Sequence, residues 1–212
     1  RPPRSTLFPY TTLFRSVFDP PMGTIFIDGH DIRRITLESL RTQIGYAPQD
    51  NFLFSTTIAE NIGFGGNFTR EEIEEAAKKA QLHNDVMGFP HGYETMVGER
   101  GVTLSGGQKQ RTGIARALVK NPRIMIFDDS LSAVDTQTED AILRELKRMM
   151  KGRTTILIAH RISTVKDADH IIVLDDGRIV EQGTHEELVA LGGLYADTYE
   201  RQLLEEELER AV

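Results

Sequence analysis

The chain has 212 residues, enough for one domain with a substantial core or for a domain carrying an inserted lobe. Its formal net charge of -7 argues against a nucleic-acid-binding surface, and 39% hydrophobic with 27% charged residues is the composition of a globular protein. It holds no cysteine, which excludes disulfides and thiolate metal sites and is compatible with the cytosol, and no apolar run approaches the roughly 18–20 residues that span a bilayer.

Segment 1–16 stands apart from the rest. Pro2, Pro3 and Pro9 break its periodicity, it has no secretory h-region, and its Leu7–Ser16 string is similar to translated sequencing-adaptor sequence. It is read as foreign, with the native gene continuing upstream of Val17. Thr24–Ile27 followed by Asp28-Gly29 predicts a strand entering a tight turn. A short helix ending at Gln43 and a strand Ile44–Ala47 stopped by Pro48 come next. Thr69 with Glu72 is a capping box opening a helix over Arg70–Gln81. A further helix is expected over Gln108–Lys120, ending before Asn121-Pro122. Strands over Arg123–Phe127 and Thr154–Ala159 flank a helix over Thr136–Met150, a βαβ unit that implies a parallel sheet. Ile171–Leu174, Asp175-Asp176-Gly177 and Arg178–Glu181 read as a hairpin, Thr184 with Glu187 caps another helix, and an acidic helical tail closes the chain over about 193–212. The expectation is an α/β domain over 17–212 with a helical subdomain near 50–118 and an antiparallel hairpin.

Two segments carry chemistry. Leu104-Ser105-Gly106-Gly107-Gln108 leads into a helix; its glycines let backbone approach an anion closely, and the unpaired amides of the first helical turn point at it. Ser105 and Gln108 equally satisfy a capping box, a purely structural use. Ile124–Phe127 is an apolar strand delivering Asp128 and Asp129 at its carboxyl end, where ligands bind in open α/β sheets. A carboxylate there can hold Mg²⁺ against phosphates; the bland alternative is a solvated acidic turn.

LSGGQ followed by a basic residue resembles the signature motif of ATP-binding cassette (ABC) proteins, and Ile124–Asp129 resembles their Walker B strand. The resemblance runs from about Val17 to the C-terminus and implies an incomplete P-loop NTPase (RecA-like) sheet, ATP and Mg²⁺ as ligands, and phosphoryl transfer to water. It implies the following roles. Asp128 associates with Mg²⁺; Gln49, in Tyr46-Ala47-Pro48-Gln49, is the Q-loop glutamine that senses Mg²⁺ and the γ-phosphate; Asp129 orients the attacking water. Ser105, Gly106, Gly107 and Gln108 cover the triphosphate of a second such domain. Asp135, in Ser132-Ala133-Val134-Asp135, lies in the D-loop that crosses to that partner, and His160 is the switch histidine. Singly, His160 reads as a surface histidine and Gln49 as a turn residue. Thr95–Gly101 is similar to the exporter X-loop, and Phe52–Ile62 to the groove that takes a coupling helix of a transmembrane partner, although core packing also explains those phenylalanines. Such a domain works at the cytoplasmic face of the cell membrane.

Two departures bear on function. No G-x-x-x-x-G-K-[ST] occurs in the chain, so taken alone it is expected to bind ATP poorly. Asp129 stands where hydrolytic members carry glutamate, which resembles the weakened site of heterodimeric exporters. Two rival readings remain: a regulatory half that binds nucleotide without hydrolysing it, and a soluble ABC ATPase, against which the acidic charge and the X-loop count.

Overall fold

The computed structural model describes residues 20–98 and 101–210. Segment 1–16, Val17 and the loop residues Glu99 and Arg100 lie outside the described residues. The described chain divides into two compact units, 20–158 and 159–210.

In the first unit, β1 (Phe26–Ile27) and β2 (His30–Asp31) pair antiparallel across Asp28-Gly29. Both turn residues have positive φ (50° and 77°), the type I′ geometry that an Asp-Gly pair favours. A 3-10 turn over Ile32–Arg34 leads to α1 (Leu37–Gln43), capped by Thr36, and then to β3 (Ile44–Ala47). Short helices follow: α2 (Ile58–Ile62), α3 (Arg70–Lys79) and α4 (His83–Met87). Capping boxes at Thr57/Glu60 and Thr69/Glu72 start α2 and α3. The expected extension of α3 to Gln81 fails because the chain turns out of the helix, with Gln81 at φ 53°. α5 (Gly106–Leu118) begins two positions before the sequence-based expectation, because the Ser105 cap places both glycines inside the first turn. It also ends earlier, where Asn121 takes φ 46° ahead of Pro122. β4 (Ile124–Asp128), α6 (Thr136–Met150) and β5 (Thr154–Ile158) complete the expected βαβ unit.

The strands β3, β4 and β5 form a parallel three-stranded sheet in that order. Alternation divides its faces. Ala47, Met125 and Phe127 join the main core with Ile114, Leu118, Ile142 and Leu146 of α5 and α6, while Ile44 and Ile126 pack with Ile32 and Leu40. Gly45 permits the closest approach of α5 to the sheet: a Cβ there would stand 2.5 Å from the Ala117 carbonyl oxygen and 2.6 Å from Pro122 Cγ.

In the second unit, α7 (Ile162–Val165) precedes the hairpin β6 (Ile171–Asp175) and β7 (Arg178–Gly183), joined by a second positive-φ Asp-Gly turn at Asp176-Gly177. α8 (His185–Leu191) opens on a Thr184/Glu187 capping box, and α9 (Leu194–Arg210) is the expected tail. Ile162, Ile171, Leu188 and Tyr195 form this unit's core. Among the described residues, no helix is long and apolar enough to cross a membrane.

Candidate functional site

The parallel register sets the carboxyl ends of β3 and β4 side by side, pairing Ala47 with Phe127. Asp128 is the last residue of β4, and the Tyr46 hydroxyl donates to its Oδ2 at 3.1 Å. Gln49, two residues beyond β3, donates from Nε2 to Asp129 Oδ2 at 3.0 Å. Asp129 is 9% exposed, its backbone sits in the left-handed region (φ 47°), and its amide donates to the Ile158 carbonyl at 2.7 Å. A buried, non-glycine residue held in that conformation is a feature found at functional sites, and it turns the chain sharply off the strand. Burial pushes the Asp128 carboxyl above its ordinary range, and the neighbouring Asp129 charge adds to this, against the opposing Tyr46 hydrogen bond.

An acid pair of this kind is electrostatically complementary to a cation. Among the described residues, no cluster of three or more His, Asp or Glu side chains could hold a metal by itself. The adjacent carboxylates of Asp128 and Asp129 are the donor type that suits Mg²⁺, which binds through one or two carboxylates, keeps several waters and takes further oxygens from substrate phosphates.

The second constellation is the start of α5. The Ser105 Oγ accepts from the Gln108 amide at 3.2 Å, and Gln108 Oε1 accepts from the Ser105 amide at 3.0 Å. This reciprocal cap engages the amides of Ser105 and Gln108, not those of Gly106 and Gly107. Gln108 Nε2 donates to Asp85 Oδ1 at 2.9 Å. The following loop packs directly on the glycines: a Cβ on Gly107 would stand 3.0 Å from the Ala133 carbonyl oxygen. Gln110, 6% exposed, clamps that loop, donating to Ser132 Oγ (3.0 Å) and accepting from the Ala133 amide (2.8 Å). Ser132 Oγ in turn donates to the Asp129 carbonyl at 2.9 Å. Asp135 caps α6 by accepting from the Thr138 amide at 2.9 Å, and that bond holds its carboxyl below the usual range.

A family model described as "ABC transporter" matches residues 5–132. The chain belongs to the ABC transporter family. It is 51% identical over 193 residues to an uncharacterized ABC transporter ATP-binding protein of Bacillus subtilis (strain 168), covering 91% of this chain and 33% of that protein. It is 50% identical over 194 residues to an ATM1-type heavy metal exporter of Novosphingobium aromaticivorans, covering 91% and 32%. The solved structure of a bacterial Atm1-family ABC exporter with ATP bound superposes with a TM-score of 0.86 at 49% identity, covering 91% of this chain and 34% of that one. The chain therefore spans about a third of the length of these relatives.

Within this ABC domain the first unit makes two separate hydrogen bonds to adjacent carboxylates, Tyr46 to Asp128 and Gln49 to Asp129, and sets the LSGGQ helix against the Ser132–Asp135 loop. His160 and Asp85 extend the account in different ways. His160 is exposed and lies in the second unit, where Gln202 of α9 holds its backbone: Gln202 Nε2 donates to the His160 carbonyl, and Gln202 Oε1 accepts from the Ile162 amide, both at 2.8 Å. Of the segment expected to be an X-loop, Thr95–Gly98 is pinned to the start of α2, with Ile58 N donating to Thr95 O at 3.0 Å and Val97 N to Thr56 O at 2.9 Å.

Sequence reasoning missed four residues. Tyr46, Asp85 and Gln110 reach the site only through tertiary packing. Arg116 donates to the Asn61 and Phe52 carbonyls (2.7 and 3.0 Å), with its guanidinium carbon 5.9 Å from the ring centroids of both Phe54 and Phe64. The buried Asn61 also hydrogen-bonds the Phe54 backbone in both directions, at 2.9 and 3.0 Å. The aromatic residues after Gln49 are thereby held by a charged residue of the LSGGQ helix, which position alone within a helical motif does not announce.

Proposed function

We propose that this chain is the ATP-binding domain of an ABC exporter half, driving transport by transfer of the γ-phosphoryl group of ATP to water. The observation that carries the reading is the meeting of Gln49 with Asp129 and of Tyr46 with Asp128 at the carboxyl ends of two parallel strands. Asp128, with Gln49, would hold Mg²⁺, which when bound neutralises charge on the β- and γ-phosphate oxygens. Asp129 orients the attacking water, Gln49 registers the γ-phosphate, and His160 contacts that phosphate in the assembled domain. Ser105, Gly106, Gly107 and Gln108 form the wall that closes over ATP held by a second ABC domain, and Asp135 lies in the loop that faces this partner. The partner domain is either a second copy of this chain or a different subunit, the latter favoured by Asp129, and both work with transmembrane domains at the cytoplasmic face of the membrane. Carrying no G-x-x-x-x-G-K-[ST], the 212-residue chain alone binds and hydrolyses ATP feebly.

Asp129 favours a second reading, in which this subunit's own site binds nucleotide and hydrolyses it slowly or not at all. Aspartate is one methylene shorter than glutamate, and a misplacement of about 1 Å can cost on the order of a hundredfold in rate. The test is hydrolysis by the full-length transporter. Asp128→Asn abolishes turnover at this site, and Asp129→Glu raises it about tenfold or more. Nucleotide occupancy of this site that is indifferent to Asp128→Asn removes the ATP-binding assignment, and a hydrolysis rate indifferent to Asp129→Glu removes the weak-site assignment.

A further inference from the structure

The glycine pair of LSGGQ is useful only if its backbone is aimed, and helix capping alone does not aim it. A capping box fixes where α5 starts and leaves open how that first turn sits against its neighbours. Asp85 of α4 supplies the missing constraint. Its Oδ1 accepts from Gln108 Nε2 at 2.9 Å, and its Oδ2 takes the Arg111 guanidinium at 2.7 Å, with a second Arg111 contact to Oδ1 at 3.4 Å. Each of these two partners holds backbone beside a glycine. Gln108 Oε1 accepts from the Ser105 amide at 3.0 Å, immediately before Gly106. Arg111 Nε donates to the Gly107 carbonyl at 3.4 Å, and its Nη1 also donates to the Gln81 carbonyl at the end of α3.

We infer that Asp85 is the positioning residue of the signature segment, anchoring both flanks of Gly106-Gly107 to the α3–α4 region through Gln108 and Arg111. The anchor is charged and partly desolvated, with the Arg111 and Asp85 side chains 14% and 28% exposed. Burial disfavours the Asp85 charge, but the Gln108 and Arg111 hydrogen bonds outweigh it and hold the carboxyl below its usual range. Charge-assisted, partly forked contacts of this kind fix orientation as well as adding energy. Asp85 touches no reacting atom; its effect on turnover passes through the two glycines. That functional consequence rests on the reading that LSGGQ closes over a triphosphate.

The experiment pairs Asp85→Ala, which removes both contacts, with Asp85→Asn, which keeps an acceptor for Gln108. Amide hydrogen exchange on the 212-residue chain reports the anchor without ATP. Asp85→Ala accelerates exchange of the Ser105 amide about tenfold, Asp85→Asn leaves it within about twofold, and α6 is unchanged in both. In the full-length transporter, Asp85→Ala lowers kcat about tenfold or more with KM for ATP within about twofold, because LSGGQ engages at closure, and Asp85→Asn restores most of kcat. Unchanged Ser105 exchange in Asp85→Ala overturns the anchor, and faster exchange with unaltered kcat reduces Asp85 to a structural residue. A full-length protein that never hydrolyses ATP yet shows the exchange pattern sinks the proposed function and supports the anchor.

Discussion

Replacing Gly45 by alanine tests the packing on which the site is built. Gly45 lies in β3 between Ile44 and Tyr46, with α5 crossing directly over it. The added methyl would meet the Ala117 carbonyl oxygen at 2.5 Å, its carbon at 3.2 Å, and Pro122 Cγ at 2.6 Å. An ordinary carbon–carbon or carbon–oxygen contact is roughly 3.4 Å or more, so something must move by close to 1 Å. Two of these atoms belong to helix backbone and the third to a proline ring, so no flexible side-chain tip can give way. Overpacking a well-filled core costs typically 1–3 kcal/mol. Rigid neighbours put this case in the upper half, about 2–3 kcal/mol. At roughly 2–4 °C per kcal/mol for a chain of this size, the melting temperature falls by about 4–12 °C. Gly152→Ala is the control: its φ is 75°, but nothing lies within 4 Å of the new methyl, so it costs only the left-handed penalty of about 1 kcal/mol. Thermal and urea unfolding followed by far-UV circular dichroism provide the comparison. If Gly45→Ala unfolds within about 0.5 kcal/mol of the parent, α5 does not approach the sheet as described, and the placement of LSGGQ relative to Gln49 falls with it.

Gln110→Met removes both ends of the clamp on the Ser132–Ala133 loop and strands the Ala133 amide; it costs about 1–3 kcal/mol in urea unfolding and speeds exchange at that amide, whereas an unchanged exchange rate refutes the clamp. Asp128→Asn carries a pH signature. Its carboxyl is raised in the folded state, so the folded protein pays a penalty for ionised Asp128 that is complete at neutral pH and vanishes once pH falls below the ordinary carboxylate value of 3.8. The asparagine variant is therefore more stable than the parent at pH 7, and the gap closes as pH drops toward 4; a gap independent of pH contradicts the burial argument.

Much of the fold was legible because its signals are local. Pro48 stops β3 at Ala47, and alternating apolar residues with capping pairs at Thr69/Glu72 and Thr184/Glu187 mark strands and helix starts within a few residues. α6 was legible over its whole span for the same reason. Boundaries slipped where backbone conformation, not side-chain pattern, ends an element: Gln81 and Asn121 leave their helices through positive φ, and neither residue type requires it. At the site, motifs named the participants but not their bonds. Tyr46 to Asp128 and Gln49 to Asp129 join residues 82 and 80 positions apart, and only the parallel register of β3 with β4 brings them together. Asp85 sits in a five-residue helix with no periodic signal, so its reach to Gln108 depends wholly on how α4 docks on α5.

Within LSGGQ, Ser105 and Gln108 cap each other, and Gln108 also binds Asp85. In the proposed function this helix start meets the phosphates with the backbone amides of Gly106 and Gly107, reinforced by the positive end of the α5 dipole. At the carboxyl ends of β3 and β4 the sign is reversed, with two adjacent carboxylates, one of them raised by burial. A single chain thus carries an electropositive wall and an electronegative floor on different elements. Neither half alone neutralises a magnesium–triphosphate: the wall lacks a place for the cation, and the floor repels the phosphates until the cation is present. The proposed closure of LSGGQ over ATP held by a second domain resolves this by setting each domain's wall against the other's floor, so tight nucleotide binding and domain association become one event.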